Sequence, residues 1–196
     1  MIPCVVLLAS WAGAASVGTL AVVPKPVIAN RLQLTKAAGL SATVVDIEGL
    51  ALWNAYWALL GRRTHSSHTV LLVNVGSRTT NLVIAQGPDR LMLVRDLQWG
   101  ALALEQDRQQ EWLGEVGDSL GYARATGGMR TLDAVYVTGG GGNAEAARLL
   151  ASIVAAPVQC WNPLDYLVCD KQSPAIKHEA GLLLAIAVGL ALRQPA

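Results

Sequence analysis

The chain has 196 residues, 53 % of them apolar and 15 % charged, with a formal net charge of +1. Such a chain can bury enough apolar surface to offset its ordering entropy, so a disordered polymer is excluded. The near-neutral balance, without a Lys/Arg-rich run, removes the electrostatic basis for binding nucleic acid or anionic lipid, and no nucleic-acid partner is expected.

Met1 to Ser16 join a short apolar stretch to small residues, as secretory leaders do, yet no positive charge precedes that stretch. Residues 1–18 are set apart as a leader that either folds back over the next strand or stays free. Thr19 to Val23 reads as a buried strand. Pro26 suits the first turn of a helix, where its missing N–H would be unpaired anyway. Val27, Ile28, Leu32, Leu34 and Ala38 then recur at helical intervals until Gly39. Ala42 to Ile47, apolar and β-branched, predicts a strand. Glu48 to Leu60 predicts a helix whose wide apolar face carries Leu52, Trp53, Tyr56, Trp57 and Leu60, with Gly61 as the stop. Trp53 and Trp57 read as core packing.

The polar loop from Arg62 to His68 marks a lobe boundary. His65 and His68 are spaced H-x-x-H without Cys or carboxylate partners nearby, and no metal site is expected there. Thr69 to Val75, Asn81 to Ala85 and Leu91 to Asp96 read as three strands of an antiparallel meander joined by tight turns. Leu102 to Tyr122 reads as mostly helical, weakened by Gly114, Gly117 and Gly121. Ala134 to Val137 is a strand, Asn143 to Val154 a helix and Val158 to Cys160 a short strand. Ala180 to Leu192 is apolar but shorter than a membrane-spanning helix requires, so it reads as a buried core helix. Cys4, Cys160 and Cys169 match no zinc spacing and read as buried thiols of a reducing compartment.

Three stretches could carry chemistry. In Val73-Asn74-Val75-Gly76-Ser77-Arg78-Thr79-Thr80-Asn81 a strand opens into a turn of small and hydroxyl residues. Its backbone N–H groups and hydroxyls could cradle an anion; an ordinary hairpin turn fits as well. In Thr138-Gly139-Gly140-Gly141-Gly142-Asn143 a buried strand breaks into four glycines and then a helix, with Asn143 as N-cap. A loop touching a flat ligand or a phosphate accounts for more glycines than a plain turn, which remains the alternative. In Asp46-Ile47-Glu48, two carboxylates sit where a strand becomes a helix. Either could hold a metal-bound water beside a phosphate, or both could stabilise the helix N-terminus. They are the candidate catalytic residues. No G-x-S-x-G elbow, dinucleotide fingerprint or Walker A loop is present.

From about Leu20 to Leu192 these segments resemble the PilM family of actin-like proteins. The stretch VVPKPVIANRLQLTKAAGLSATVVDIEGLAL is similar to that family's strand, helix and connecting helix, with VDIE at its strand end. VNVGSRTTNLVI is similar to its second phosphate hairpin, VYVTGGGGN to its adenosine loop, NPLDYL to the segment after the next strand, and EAGLLLAIAVGLAL to its second connecting helix. The resemblance implies an α/β actin-like (ribonuclease H-like) fold of mixed sheets flanked by helices in a partial two-lobe architecture. Residues 19–66 would be a remnant of the first lobe. Residues 67–178 would form the second, with a shortened insertion between Gly100 and Leu132, and residues 179–192 would return to the first lobe. ATP with magnesium would lie between lobes, phosphates at Asn74 and Gly76 to Thr80, adenosine at Gly139 to Gly142. The implied role is a cytoplasmic scaffold of type IV pilus or related secretion-system assembly. It would be peripheral at the inner membrane, held by the tail of a PilN-like protein, with self-association as a further expectation.

Three departures point to weak or lost nucleotide binding, one of them the short segment between Gly100 and Leu132, which reduces the lobe that would close over the nucleotide. The family's first, D-x-G phosphate hairpin has no counterpart within residues 1–18, and Asn74 stands where the second hairpin has Asp. An amide lacks the charge that organises magnesium and its water. A working ATPase is the alternative, and a sugar-kinase-like enzyme with Asp46 as base is a further one.

Overall fold

A computed structural model describes residues 4–9, 19–63, 67–105, 108–168 and 180–193. Two compact units divide at Ile47/Glu48. In the first, β1 (Cys4–Ala9) pairs antiparallel with β2 (Thr19–Pro24), Leu7 opposite Ala21. The stretch before the proline-rich turn thus folds back and covers one edge of β2. Helix α1 (Lys25–Ala37) has Pro in its first turn and Lys36 in its last, and Gly39 follows at φ 75°, where a side chain would be strained. None of its residues is buried. The strand expected over Ala42 to Ile47 does not form; residues 40–47 are irregular, with Val44 and Val45 exposed. β-Branched residues favour a strand only where a neighbouring strand takes up the backbone groups, and among the described residues none does.

The second unit is a five-stranded mixed sheet in the order β5-β4-β3-β6-β7. β3 (Thr69–Val75), β4 (Thr80–Gln86) and β5 (Arg90–Leu97) form the antiparallel meander, with a register shift at Ile84/Ala85. β6 (Ala134–Thr138) and β7 (Val158–Cys160) join parallel to β3. Parallel strands need a crossover, and α5 (Ala144–Ala151) supplies it between β6 and β7. Central β3 is buried on both faces, hence its near-continuous apolar run. Leu71, Val73 and Val75 face Trp112, Val116 and Leu120 of α4 (Gln109–Gly127) and Ala146 and Leu150 of α5. Val70 and Leu72 face Leu52, Ala55 and Tyr56 of α2 (Glu48–Leu59) and Ala185 and Val188 of α6 (Ala185–Ala191). Trp53 and Trp57 pack against this second core, half-buried.

The helix expected over Leu102 to Tyr122 is two: a short α3 (Ala101–Glu105) and α4, which runs to Gly127 and stops on the left-handed Gly128. The apolar C-terminal stretch opens with a 3-10 turn over Gly181–Leu184 before α6 begins. α6 crosses α2 so closely that a Cβ at Gly189 would collide with the Ala51 carbonyl oxygen. Among the described residues no helix is long and apolar enough to cross a membrane. Cys160 is exposed on the edge strand β7 and is not a core thiol, because its strand ends the sheet; desolvation by its neighbours still raises the thiol pKa. Cys169 and His65 lie outside the described residues.

Candidate functional site

At the ends of β3 and β6 the sheet carries a row of polar residues on the face turned to α2. The register sets Thr138 beside Asn74, Asn74 opposite Asn81, and Asn81 opposite Asp96. Period-2 alternation puts Asn74 on the same face as Val70 and Leu72, the α2 side. Asn81 is the hub, 1 % exposed. It accepts at Oδ1 from Asn74 Nδ2 (2.7 Å) and donates its own Nδ2 to Glu48 Oε2 (2.9 Å) and Asp96 Oδ1 (2.8 Å). Glu48 opens α2, so the row ties the start of that helix to three strands. Such charge-assisted bonds are stronger than neutral ones. Asp46 stands in the other unit, where its Oδ1 accepts from the Ile47 N–H at 2.9 Å.

Beyond Asn74 the hairpin loop turns tightly, with Gly76 N–H donating to the Thr79 carbonyl at 2.9 Å. Ser77 and Arg78 are exposed at its tip and give it a positive charge suited to an anion. The start of α3 holds the other side of the loop. Ala101 N–H donates to Gly76 O (2.8 Å) and Leu102 N–H to Ser77 O (3.1 Å). Residue 100 is glycine because a Cβ there would stand 2.7 Å from the Arg78 nitrogen. Thr80, fully buried, is turned inward. Its hydroxyl donates to Trp99 O (2.7 Å) and accepts from the Trp112 indole N–H (3.1 Å).

The glycine loop lies directly beside this hairpin. Gly141 N–H donates to Val75 O at 2.9 Å, and Gly139, at φ 91°, runs so close to β3 that a Cβ would sit 2.7 Å from Asn74 Oδ1. A Cβ at Gly140 would stand 2.7 Å from Leu183 Cδ2, one at Gly141 2.6 Å from the Ala101 Cβ, and one at Gly142 would collide with Thr138 O. The turn before α6 is clamped on the same loop, since Gly139 N–H (2.8 Å) and the Thr138 hydroxyl (2.9 Å) both donate to Leu182 O. Each glycine therefore has a neighbour of this chain against it. Asn143 caps α5 as its position predicts, its Oδ1 accepting from the Glu145 and Ala146 N–H groups at 3.0 Å each.

The structure thus brings Asn74, Gly76 to Thr80, Gly139 to Gly142 and Glu48 to one end of the sheet. The end where parallel strands point outward is where open α/β sheets bind ligands. Among the described residues no cluster of three metal-ligating side chains forms. Asn81 closes the first candidate stretch, whereas Asp96 and Trp99 lie outside every stretch that the sequence singles out. The one signal was turn length: two short turns fold residues 74, 81 and 96 into register on one face.

No protein-family model and no curated protein matches this sequence. Among solved structures, a PilM-PilN type IV pilus biogenesis complex superposes with a TM-score of 0.78 and 22 % identity, over 98 % of this chain and 67 % of that chain. The fold is actin-like. The sheet order, with an antiparallel meander followed by two parallel strands, is its ribonuclease H-like core. Lower scores relate the chain to ethanolamine utilization protein EutJ from Carboxydothermus hydrogenoformans (TM-score 0.42, 18 % identity, 82 % of this chain and 58 % of that one). An archaeal actin homolog gives 0.45 at 13 % identity, over 76 % of this chain and 54 % of that one.

Proposed function

We propose that this protein is a PilM-like scaffold in the assembly of a type IV pilus or a related secretion system, with weak or lost nucleotide binding. The observation that carries the reading is the superposition on a PilM-PilN complex over 98 % of the chain. The order of the sequence segments that resemble that family supports it independently. A partner of the PilN type, anchored in the inner membrane, would hold the protein at the membrane as a peripheral component.

Three features support weak or lost nucleotide binding. Asn74 engages Asn81 at the position where a carboxylate would organise magnesium and its water. The Thr80 hydroxyl is engaged by Trp99 and Trp112, and Leu183 lies against Gly140 of the loop where adenosine would be expected. ATP with magnesium would contact Gly76 to Thr80 and Gly139 to Gly142, with Arg78 the charged side chain offered to phosphate.

Calorimetry with a synthetic peptide of a PilN-type cytoplasmic tail tests the partner. Saturable binding is expected, and no heat at millimolar peptide refutes the scaffold reading. The same instrument with Mg-ATP should give no binding curve at micromolar concentrations; a micromolar Kd makes the protein a nucleotide-binding one.

A further inference from the structure

We propose that residue 74 has to be an amide, because the polarity of the network at the end of β3 leaves no place for a carboxylate. This inference deepens, and rests on, the reading of a scaffold with weak or lost nucleotide binding. Asn81 is buried, so water offers its side chain no alternative partners. Its Nδ2 donates to two carboxylates, Glu48 and Asp96. Carboxylate oxygens accept and do not donate, so the Asn81 amide cannot be turned over. Its Oδ1 therefore faces position 74, and position 74 must donate. Asn74 does so, at 2.7 Å.

A carboxylate at 74 would set acceptor against acceptor at that distance and become the third carboxylate around one buried amide. The Gly139 backbone runs along the other side of Asn74, where a Cβ would stand 2.7 Å from its Oδ1. The row Asn74–Asn81–Asp96 with Glu48 is thus a positioning latch. It holds the first residue of α2 on the sheet. The amide at 74 is bonded into it through Nδ2.

The test is thermal melting in metal-free buffer. Asn74→Asp changes no volume, so a pure packing role would leave Tm unmoved; the polarity argument expects a drop of about 5 °C. Adding Glu48→Gln and Asp96→Asn to that variant reverses the network. The two new amides can donate to Asn81 Oδ1 once its amide turns over, and Nδ2 then donates to the carboxylate at position 74. The triple variant is expected to recover at least half of the loss, with hydrogen exchange at Glu48 to Leu52 returning towards that of the unmodified protein. A single variant that melts like the unmodified protein overturns the proposal, and so does a triple variant no more stable than the single one. Should the single variant not fold, a folded triple variant is the supporting result and an insoluble one the opposing result. Mg-ATP binding by the unmodified protein would refute the lost-nucleotide reading without touching the polarity argument, which the melts decide.

Discussion

The crossing of α2 and α6 can be tested with one chemical change made at two places. Gly189 faces the α2 backbone. A Cβ there would collide with Ala51 O and lie 3.1 Å from the Ala51 Cα, all of it main chain that cannot rotate aside. Gly114, Gly117 and Gly121 of α4 have nothing within 4 Å of a Cβ. In a helix interior, alanine is favoured over glycine by about 1 kcal/mol. Gly114→Ala should therefore stabilise by about that amount, raising Tm by about 3 °C for a chain of this size. Gly189→Ala meets the same propensity gain and an overpacking cost of about 1–3 kcal/mol, worsened because the obstacle is backbone, so Tm should fall by about 3 °C or more. Circular-dichroism melts, with urea titrations to confirm an unchanged m-value, measure both. If Gly189→Ala stabilises the protein as Gly114→Ala does, α6 does not lie on α2.

Other expectations follow from single contacts. Trp112→Phe removes the indole N–H from the buried Thr80 hydroxyl and leaves unfilled space in the first core, and should cost about 2 kcal/mol by urea unfolding; a loss under a few tenths would show the contact to be idle. Cys160 is exposed, so iodoacetamide should label it in the folded protein, as peptide mapping would detect, and more slowly at pH 8 than a free thiol because desolvation raises its pKa. Desolvation, ahead of its other neighbours, also raises the Tyr136 pKa above 10.0. Above about pH 10 the unfolded chain then loses this proton before the folded one, so stability should fall as pH rises there. Stability unchanged between pH 9 and 11 would contradict that burial.

Much of the fold was legible along the chain. Thr69 to Gln86 alternates or runs apolar between turns of glycine and polar residues, and such local signals suffice to define a meander. Asn143 was recognisable as a cap because its role depends on residues two and three positions away. The strand expected over Ala42 to Ile47 fails for the complementary reason: propensity there asked for a pairing partner that sequence cannot supply. Cys160 reads as buried yet is exposed, because a thiol's type says nothing of whether its strand is central or at an edge.

The candidate site divides along the same line. Sequence by itself determined which two loops matter, since a hydroxyl-rich hairpin and four glycines after a buried strand are visible in the order of residues. It also showed that residue 74 carries no charge. Only the tertiary structure decided what those residues touch. It set Asn81 between Glu48, Asp96 and Asn74, turned Thr80 inward to Trp112, and laid Leu183 on Gly140. Those contacts join residues up to 43 positions apart, as Leu183 and Gly140 are. Backbone propensity acts over a few residues, whereas hydrogen-bond polarity and close packing act through space. A glycine or an amide therefore states its need in the sequence, and the folded neighbours state what fills it.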